Sequence, residues 1–316
     1  MQRSPDRECT MIIPLLLFAI GLILLLKGAD LTVEGAEGIA SRIGVSSTFI
    51  GLTVVAFGTS LPELVVTSEA FRLGNFGIGT GNIIGSNISN IALVLGLYAV
   101  LVPATFRTQP PQQRFLLHTA LMLIATAAFT VLCWRSVLDF ISGVVMLALF
   151  SAMVVILWRS GQGIERVAAK ESRYPLLFTV GGLAAVIIGA HLLLSGAVEI
   201  ATLFHISPVV IGLSMVAVGT SLPELATTVV AAYRNRPGIA IGNVIGSNIF
   251  NLLFVMGVNA LFIPIPSPDM VTIGPMLIFT AAILPLFFGK NAVTRVWGGL
   301  LVGGYLVYIL ALYWMW

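Results

Sequence analysis

One heptapeptide occurs twice in this chain, and each copy carries an acid inside an apolar run. Gly58-Thr59-Ser60-Leu61-Pro62-Glu63-Leu64 returns unchanged as Gly219-Thr220-Ser221-Leu222-Pro223-Glu224-Leu225, 161 positions later. An ionised Glu in such a setting is costly and marks a functional site by default. Each Glu follows a proline, which has no N–H and cannot close the helical bond to the residue four earlier. The carbonyls of Gly58 and Gly219 are therefore expected to be free. Two interrupted helices, each offering carbonyls, hydroxyls and a carboxylate, are the parts of a cation site at mid-bilayer.

Composition supplies the bilayer. Only 9% of the 316 residues are charged and 58% are hydrophobic, whereas a soluble domain is about 25% charged. The fold class is all-α and polytopic. The net charge of +3 is small and its basic residues fall in the connections. That pattern reads as membrane orientation, and no nucleic-acid partner is expected. Cys9 and Cys133 sit in unrelated contexts, with neither a disulfide framework nor a metal motif.

Ten apolar segments are predicted, near 11–38, 46–71, 77–101, 114–134, 137–158, 175–200, 207–233, 238–263, 270–289 and 293–315. Most approach the roughly 20 residues that a spanning helix needs. The first resembles a signal peptide, with Arg3 and Arg7 ahead of an apolar run. Its Pro14-Leu15-Leu16, however, returns as Pro175-Leu176-Leu177 in mid-chain, which favours a retained helix. The offset of 161 holds without a gap from Pro14 to beyond Gly96, which matches Gly257. The chain therefore divides into a first five-helix repeat (11–158), a connecting loop (159–174) and a second repeat (175–316). An odd number of spans makes the second repeat enter from the opposite side, so the two repeats are inverted. With both termini outside, eleven Lys and Arg fall in inside loops and four outside, and that bias sets the expected orientation. Trp134, Trp158, Trp297, Trp314 and Trp316 fall near predicted helix ends, where an aromatic belt belongs. The first and sixth segments are long and glycine-rich: Gly21, Gly28, Gly35 and Gly38 in one, Gly181, Gly182, Gly189 and Gly196 in the other. Small residues let helices approach closely, which suits either static packing or sliding.

A second duplicated motif, Gly81-Asn82-Ile83-Ile84-Gly85-Ser86-Asn87-Ile88-Ser89-Asn90, returns as Gly242-Asn243-Val244-Ile245-Gly246-Ser247-Asn248-Ile249-Phe250-Asn251. Asn82, Ser86 and Asn90 share one helix face, beside a glycine track of Gly77, Gly81 and Gly85. The assembled candidate site holds Glu63 and Glu224, the hydroxyls of Thr59, Ser60, Ser86, Thr220, Ser221 and Ser247, and the amide oxygens of Asn90 and Asn251. Carbonyls near Ala56 to Thr59 and Ala217 to Thr220 complete it. All are hard oxygen ligands, and neither motif has His or Cys, which argues against zinc, copper or iron. The set suits Ca²⁺, which takes 6–8 oxygens. Other intramembrane charges look structural: Asp30 is expected to pair with Lys27 at i, i+3, and Glu37 and Glu199 to be solvated near helix ends.

At these two motifs the sequence resembles the Ca²⁺:cation antiporter superfamily, and most of all the prokaryotic sodium/calcium exchangers. The resemblance runs from Pro14 to the end. It implies ten transmembrane helices, a central core from the second, third, seventh and eighth, and a gate formed by the first and sixth. It implies that Glu63 and Glu224 share Ca²⁺ with one Na⁺ site and that Thr59 and Thr220 give carbonyls to Ca²⁺. Ser60, Ser221, Ala56, Ala217, Ser86 and Ser247 resemble outer Na⁺ ligands, and Asn90 a polar residue lining the centre. Asn251 departs from relatives that carry Asp there, which makes potassium co-transport less expected. The implied function is Na⁺/Ca²⁺ antiport by alternating access, by a monomer in the cell membrane. No resident cofactor is implied, since Ca²⁺ and Na⁺ bind as cargo. The rival readings are a Ca²⁺/H⁺ exchanger on the same fold and, from other classes, a cation channel or an intramembrane hydrolase. The inverted repeat argues against the channel. His118, His191 and His205 lie outside both motifs and leave the hydrolase no readable nucleophile–base pair.

Overall fold

The computed structural model describes residues 6–102, 112–161, 172–204, 219–284 and 294–315. Helix α1 is Asp6–Ile43. Helix α2, Ser47–Thr59, is followed after a break by α3, Leu61–Arg72, with a 45° bend between them. Helix α4 is Phe76–Leu101, α5 is Gln112–Leu132 and α6 is Phe140–Gly161. Strand β1, Val137–Leu138, precedes α6. Helix α7 is Pro175–Leu203, α8 is Leu222–Tyr233 and α9 is Pro237–Phe262. Strand β2, Ile265–Pro266, pairs antiparallel with β1. Helix α10 is Met270–Ala281, capped by Asp269, whose carboxylate accepts the Thr272 N–H at 2.9 Å. Helix α11 is Arg295–Met315. Among the described residues six helices are long and apolar enough to cross a membrane, or seven if the α2–α3 pair is one span. The stretch 205–218, where the seventh predicted segment begins, lies outside the described residues.

The duplication is visible in the helix ends. Helices α3 and α8 begin and end 161 positions apart, as do the starts of α4 and α9. Helices α4 and α9 form the centre: 78% and 94% of their most apolar windows are buried, against 22% for α1 and 28% for α7. The outer pair therefore meets lipid while the inner pair is shielded on nearly all sides. Both inner helices widen into a π-helical turn, at Asn90–Leu95 and Phe250–Val255. Such turns are rare and concentrate at functional sites.

Helices α1 and α7 run antiparallel, backbone against backbone. Gly21, Gly28 and Gly35 recur every seven residues, as do Gly182, Gly189 and Gly196. A Cβ on Gly28 would lie 2.7 Å from the Val186 nitrogen and 2.8 Å from the Gly182 carbonyl oxygen. One on Gly182 would lie 2.6 Å from the Thr32 nitrogen. Gly181, the next residue, is exposed with open space at its Cβ position. At 38 residues, α1 is about 57 Å long at 1.5 Å per residue. That exceeds a hydrocarbon core of about 30 Å, so the helix must tilt, kink or extend beyond it.

The acids of α1 do not behave as the sequence suggests. Asp30 pairs with Arg234 at 2.5 Å rather than with Lys27, and Glu34 reaches the same guanidinium at 3.5 Å. Glu37, expected to be solvated, is buried and paired with Arg236. The turn between α8 and α9, where Asn235 adopts φ 55°, carries both arginines to the α1 face. A buried carboxylate needs such a partner to remain charged. Glu199 is exposed, as expected. Cys133 is a free, buried thiol. Trp134 and Trp158 are exposed at helix ends, and Trp297 donates its ring N–H to the Ala282 carbonyl. The side chains of Trp314 and Trp316 lie outside the described residues.

Candidate cation site

Both motif acids are wholly buried. Glu63 and Glu224 have no exposed surface. Each sits in the first turn after its proline, where the helix restarts with Pro at its N-terminal positions. The helices α3 and α8 thereby aim their acids at one another from the two halves of the chain.

Hydroxyls cross between the halves to reach these acids. Ser60 donates to Glu224 Oε1 at 2.8 Å, and Ser247 reaches the same oxygen at 3.3 Å. Ser86 reaches Glu63 Oε1 at 3.4 Å and also lies 3.4 Å from the Thr220 hydroxyl. Thr59 donates to the Asn243 side-chain oxygen at 3.1 Å. Five of the sequence-predicted residues, Thr59, Ser60, Ser86, Thr220 and Ser247, thus join the hydrogen-bond network of the two acids, and Ser221 is buried. Ala56 is buried nearby, while Ala217 lies outside the described residues.

What remains unsatisfied defines the cavity's chemistry. Oε2 of each acid, Oγ of Ser221, and both side-chain polar atoms of Asn90 and of Asn251 are buried with no hydrogen-bond partner among the described residues. Buried polar atoms are ordinarily paired, so each orphan calls for an explanation such as an ion. These orphans belong to the two acids, to Ser221, and to Asn90 and Asn251, at the first and second positions of their π-helical turns. Apart from the two amide nitrogens they are oxygens, the atom type that hard cations take. Among the described residues no group of three His, Cys, Asp or Glu that could hold a metal ion is found.

One expectation is corrected. The Gly58 carbonyl is not free, because a backbone N–H of the cap at Ser60 bonds it. The Ala56 carbonyl likewise accepts the Ser60 N–H at 3.1 Å and the Thr59 hydroxyl at 3.4 Å. Ahead of the proline the cap at Ser60 recovers the carbonyl that Pro62 would have orphaned, as tightened helix ends commonly do.

The sequence also left two residues without a role. Thr67 and Thr228 lie one turn beyond each Glu and bind Asn82 and Asn243 at 3.0 and 3.2 Å. Their recurrence at the same offset of 161 was the available signal.

The model of the family described as sodium/calcium exchanger protein matches residues 13–159 and 174–314. An uncharacterized membrane protein of Methanocaldococcus jannaschii, MJ0091, is 36% identical over 301 residues, covering 93% of this chain and 96% of its own. The sodium/calcium exchanger MaX1 of Methanosarcina acetivorans is 31% identical over 349 residues, covering 95% and 98%. The structure of the sodium-calcium exchanger NCX_Mj soaked with Na⁺ and Ca²⁺ superposes with a TM-score of 0.81 at 36% identity, over 95% of this chain and 99% of that one. These matches span both duplicated motifs and nearly every helix described above, and by them the chain belongs to the sodium/calcium exchanger family of the Ca²⁺:cation antiporters.

Proposed function

We propose that this multi-pass membrane protein exchanges Na⁺ for Ca²⁺ by alternating access at one shared site, letting Na⁺ in to drive Ca²⁺ out. The observation that carries the reading is the pair of wholly buried acids from the two duplicated motifs, each with an unpaired oxygen. Two negative charges match one Ca²⁺, whose 6–8 oxygen ligands at about 2.3–2.6 Å can include carboxylates, hydroxyls and amide oxygens. The same charges can be divided among several Na⁺. The ligands are Glu63 and Glu224, with Thr59, Thr220, Ser60, Ser221, Ser86, Ser247, Asn90 and Asn251, and carbonyls at Ala56 and Ala217. Occupancy by one cargo then excludes the other. Reorienting with the acids uncompensated is penalised in a low-dielectric setting, and that penalty couples the two fluxes.

The architecture proposed around this site is ten spanning helices in two inverted five-helix repeats, 11–158 and 175–316, with both termini outside and the monomer as the working unit. The shared ends of α3 and α8, and the antiparallel course of α1 and α7, support it. Hydroxyl-rich flanks on each acid favour Na⁺ over H⁺ as counter-ion. In vesicles holding the purified chain, Ca²⁺ uptake is expected to follow an outward Na⁺ gradient at equal pH on both sides. Uptake that needs a pH gradient and proceeds without Na⁺ would replace this reading with Ca²⁺/H⁺ exchange.

A further inference from the structure

We propose that Asn82 and Asn243 are positioning residues that fix the direction in which the two acids point, a reading that rests on the cation site proposed above. Neither is among the cation-facing oxygens. Asn82 Nδ2 lies 3.4 Å from the Glu63 carbonyl oxygen and 3.0 Å from the Thr67 hydroxyl. Asn243 Nδ2 lies 3.3 Å from the Glu224 carbonyl oxygen and 3.2 Å from the Thr228 hydroxyl. The same amide group meets the same two acceptors in each half.

The need for such a contact follows from the proline. Glu63 and Glu224 occupy the first turn of a helix that begins with a proline, and Pro62 and Pro223 each remove a backbone bond that would tie that turn to the residues before it. A rotation would swing the acid away from its counterpart. An amide with two N–H donors can hold the acid's own carbonyl and a hydroxyl one turn further on, so it fixes the rotation from the neighbouring helix. A hydroxyl has one proton and could hold only one of the two acceptors.

Asn243 does more than its copy. Its side-chain oxygen also accepts the Thr59 hydroxyl at 3.1 Å. Thr220, the copy of Thr59, contacts Ser86 instead. One amide thus ties the break of the first half to the acid of the second, and positions both together.

The test is Ca²⁺-dependent uptake into Na⁺-loaded vesicles by the full chain, with half-saturation and maximal rate measured separately. Asn243→Ala is expected to raise half-saturating Ca²⁺ by roughly 3- to 15-fold, the range set by interhelical hydrogen bonds in membranes. A variant that merely folds less well would lower the maximal rate and leave half-saturation in place. Thr228→Val and Thr59→Val, which keep side-chain shape, should shift half-saturation in the same direction, and Thr59→Ser should recover most of what Thr59→Val loses. The double variant of Thr59→Val and Asn243→Ala should be no worse than the poorer single. Parent-like half-saturation in both Asn243→Ala and Thr228→Val, or fully multiplicative Thr59 and Asn243 effects, would overturn the proposal. Should Asn243→Ala not be recovered folded, the two Val variants decide alone. Glu63→Gln and Glu224→Gln in the same vesicles keep the readings apart. Transport surviving there overturns the cation site itself, whereas transport lost there beside unshifted Asn243 and Thr228 variants overturns only the positioning role.

Discussion

Replacing Glu63 or Glu224 by Gln is expected to reduce Na⁺-driven Ca²⁺ uptake to background. Gln keeps the shape of Glu and removes one of the two charges that balance the ion. Truncating one partner of a desolvated charge pair costs about 2–5 kcal/mol, or roughly 30- to 5,000-fold in affinity. The same substitutions should leave folding unharmed. In ion-free detergent solution two wholly buried carboxylates lack a counter-ion, which penalises their charged forms, so neutralising one removes part of that cost. Thermal unfolding of either Gln variant without ions is expected at or above the parent temperature, while Ca²⁺ should no longer raise it as it does in the parent. Loss of transport together with retained stability would mark these acids as functional rather than structural. A Gln variant that transports at the parent rate would refute the assigned site.

The second large effect concerns the seam between α1 and α7. Gly182→Ala places a methyl 2.6 Å from the Thr32 nitrogen and 2.7 Å from the Gly28 carbonyl oxygen. Both are backbone atoms of a neighbouring helix and cannot swing aside as a side-chain tip can. Overpacking of this kind costs about 1–3 kcal/mol, and separating the helices sacrifices contacts along the whole seam. Gly181→Ala, one residue away and facing open space, should instead be neutral or mildly stabilising, because Ala exceeds Gly in helix propensity by up to about 1 kcal/mol. Comparing the thermal unfolding of the two variants in detergent checks the seam. Equal unfolding temperatures would show that the close approach contributes nothing.

Much of this architecture was legible before any coordinates. The repeat of Gly58–Leu64 at 161 positions located the break between α2 and α3 and the start of α8, since proline and an intramembrane acid constrain a chain however it packs. The glycine-rich first and sixth segments announced a close pair, and the structure brings them together. Of the polar stripe of Asn82, Ser86 and Asn90, the first two meet α3 at Thr67 and Glu63. What escaped the sequence depends on residues far apart in the chain. Asp30 and Arg234 are separated by 204 positions, and a local i, i+3 partner hid that pairing. Glu37 looked solvated because its place near a helix end said nothing of Arg236, which arrives from the turn before α9. The Gly58 carbonyl was counted as free from the missing proline N–H alone, and the compensating cap bond depends on how the backbone turns after Ser60. Thr59 and Asn243 lie 184 positions apart, in motifs whose copies do not make the same contact. Periodicity within one repeat could not predict a bond that only one half forms.

The central claim is that Ca²⁺ and Na⁺ occupy one site in alternation, held by the same two acids. Ca²⁺ binding to the purified chain, titrated at increasing fixed Na⁺, tests it most directly. The account predicts that Na⁺ raises the Ca²⁺ concentration needed for half-occupancy while the amount bound at saturation stays constant. Ca²⁺ binding indifferent to saturating Na⁺ would contradict it, because the two ions would then hold separate places.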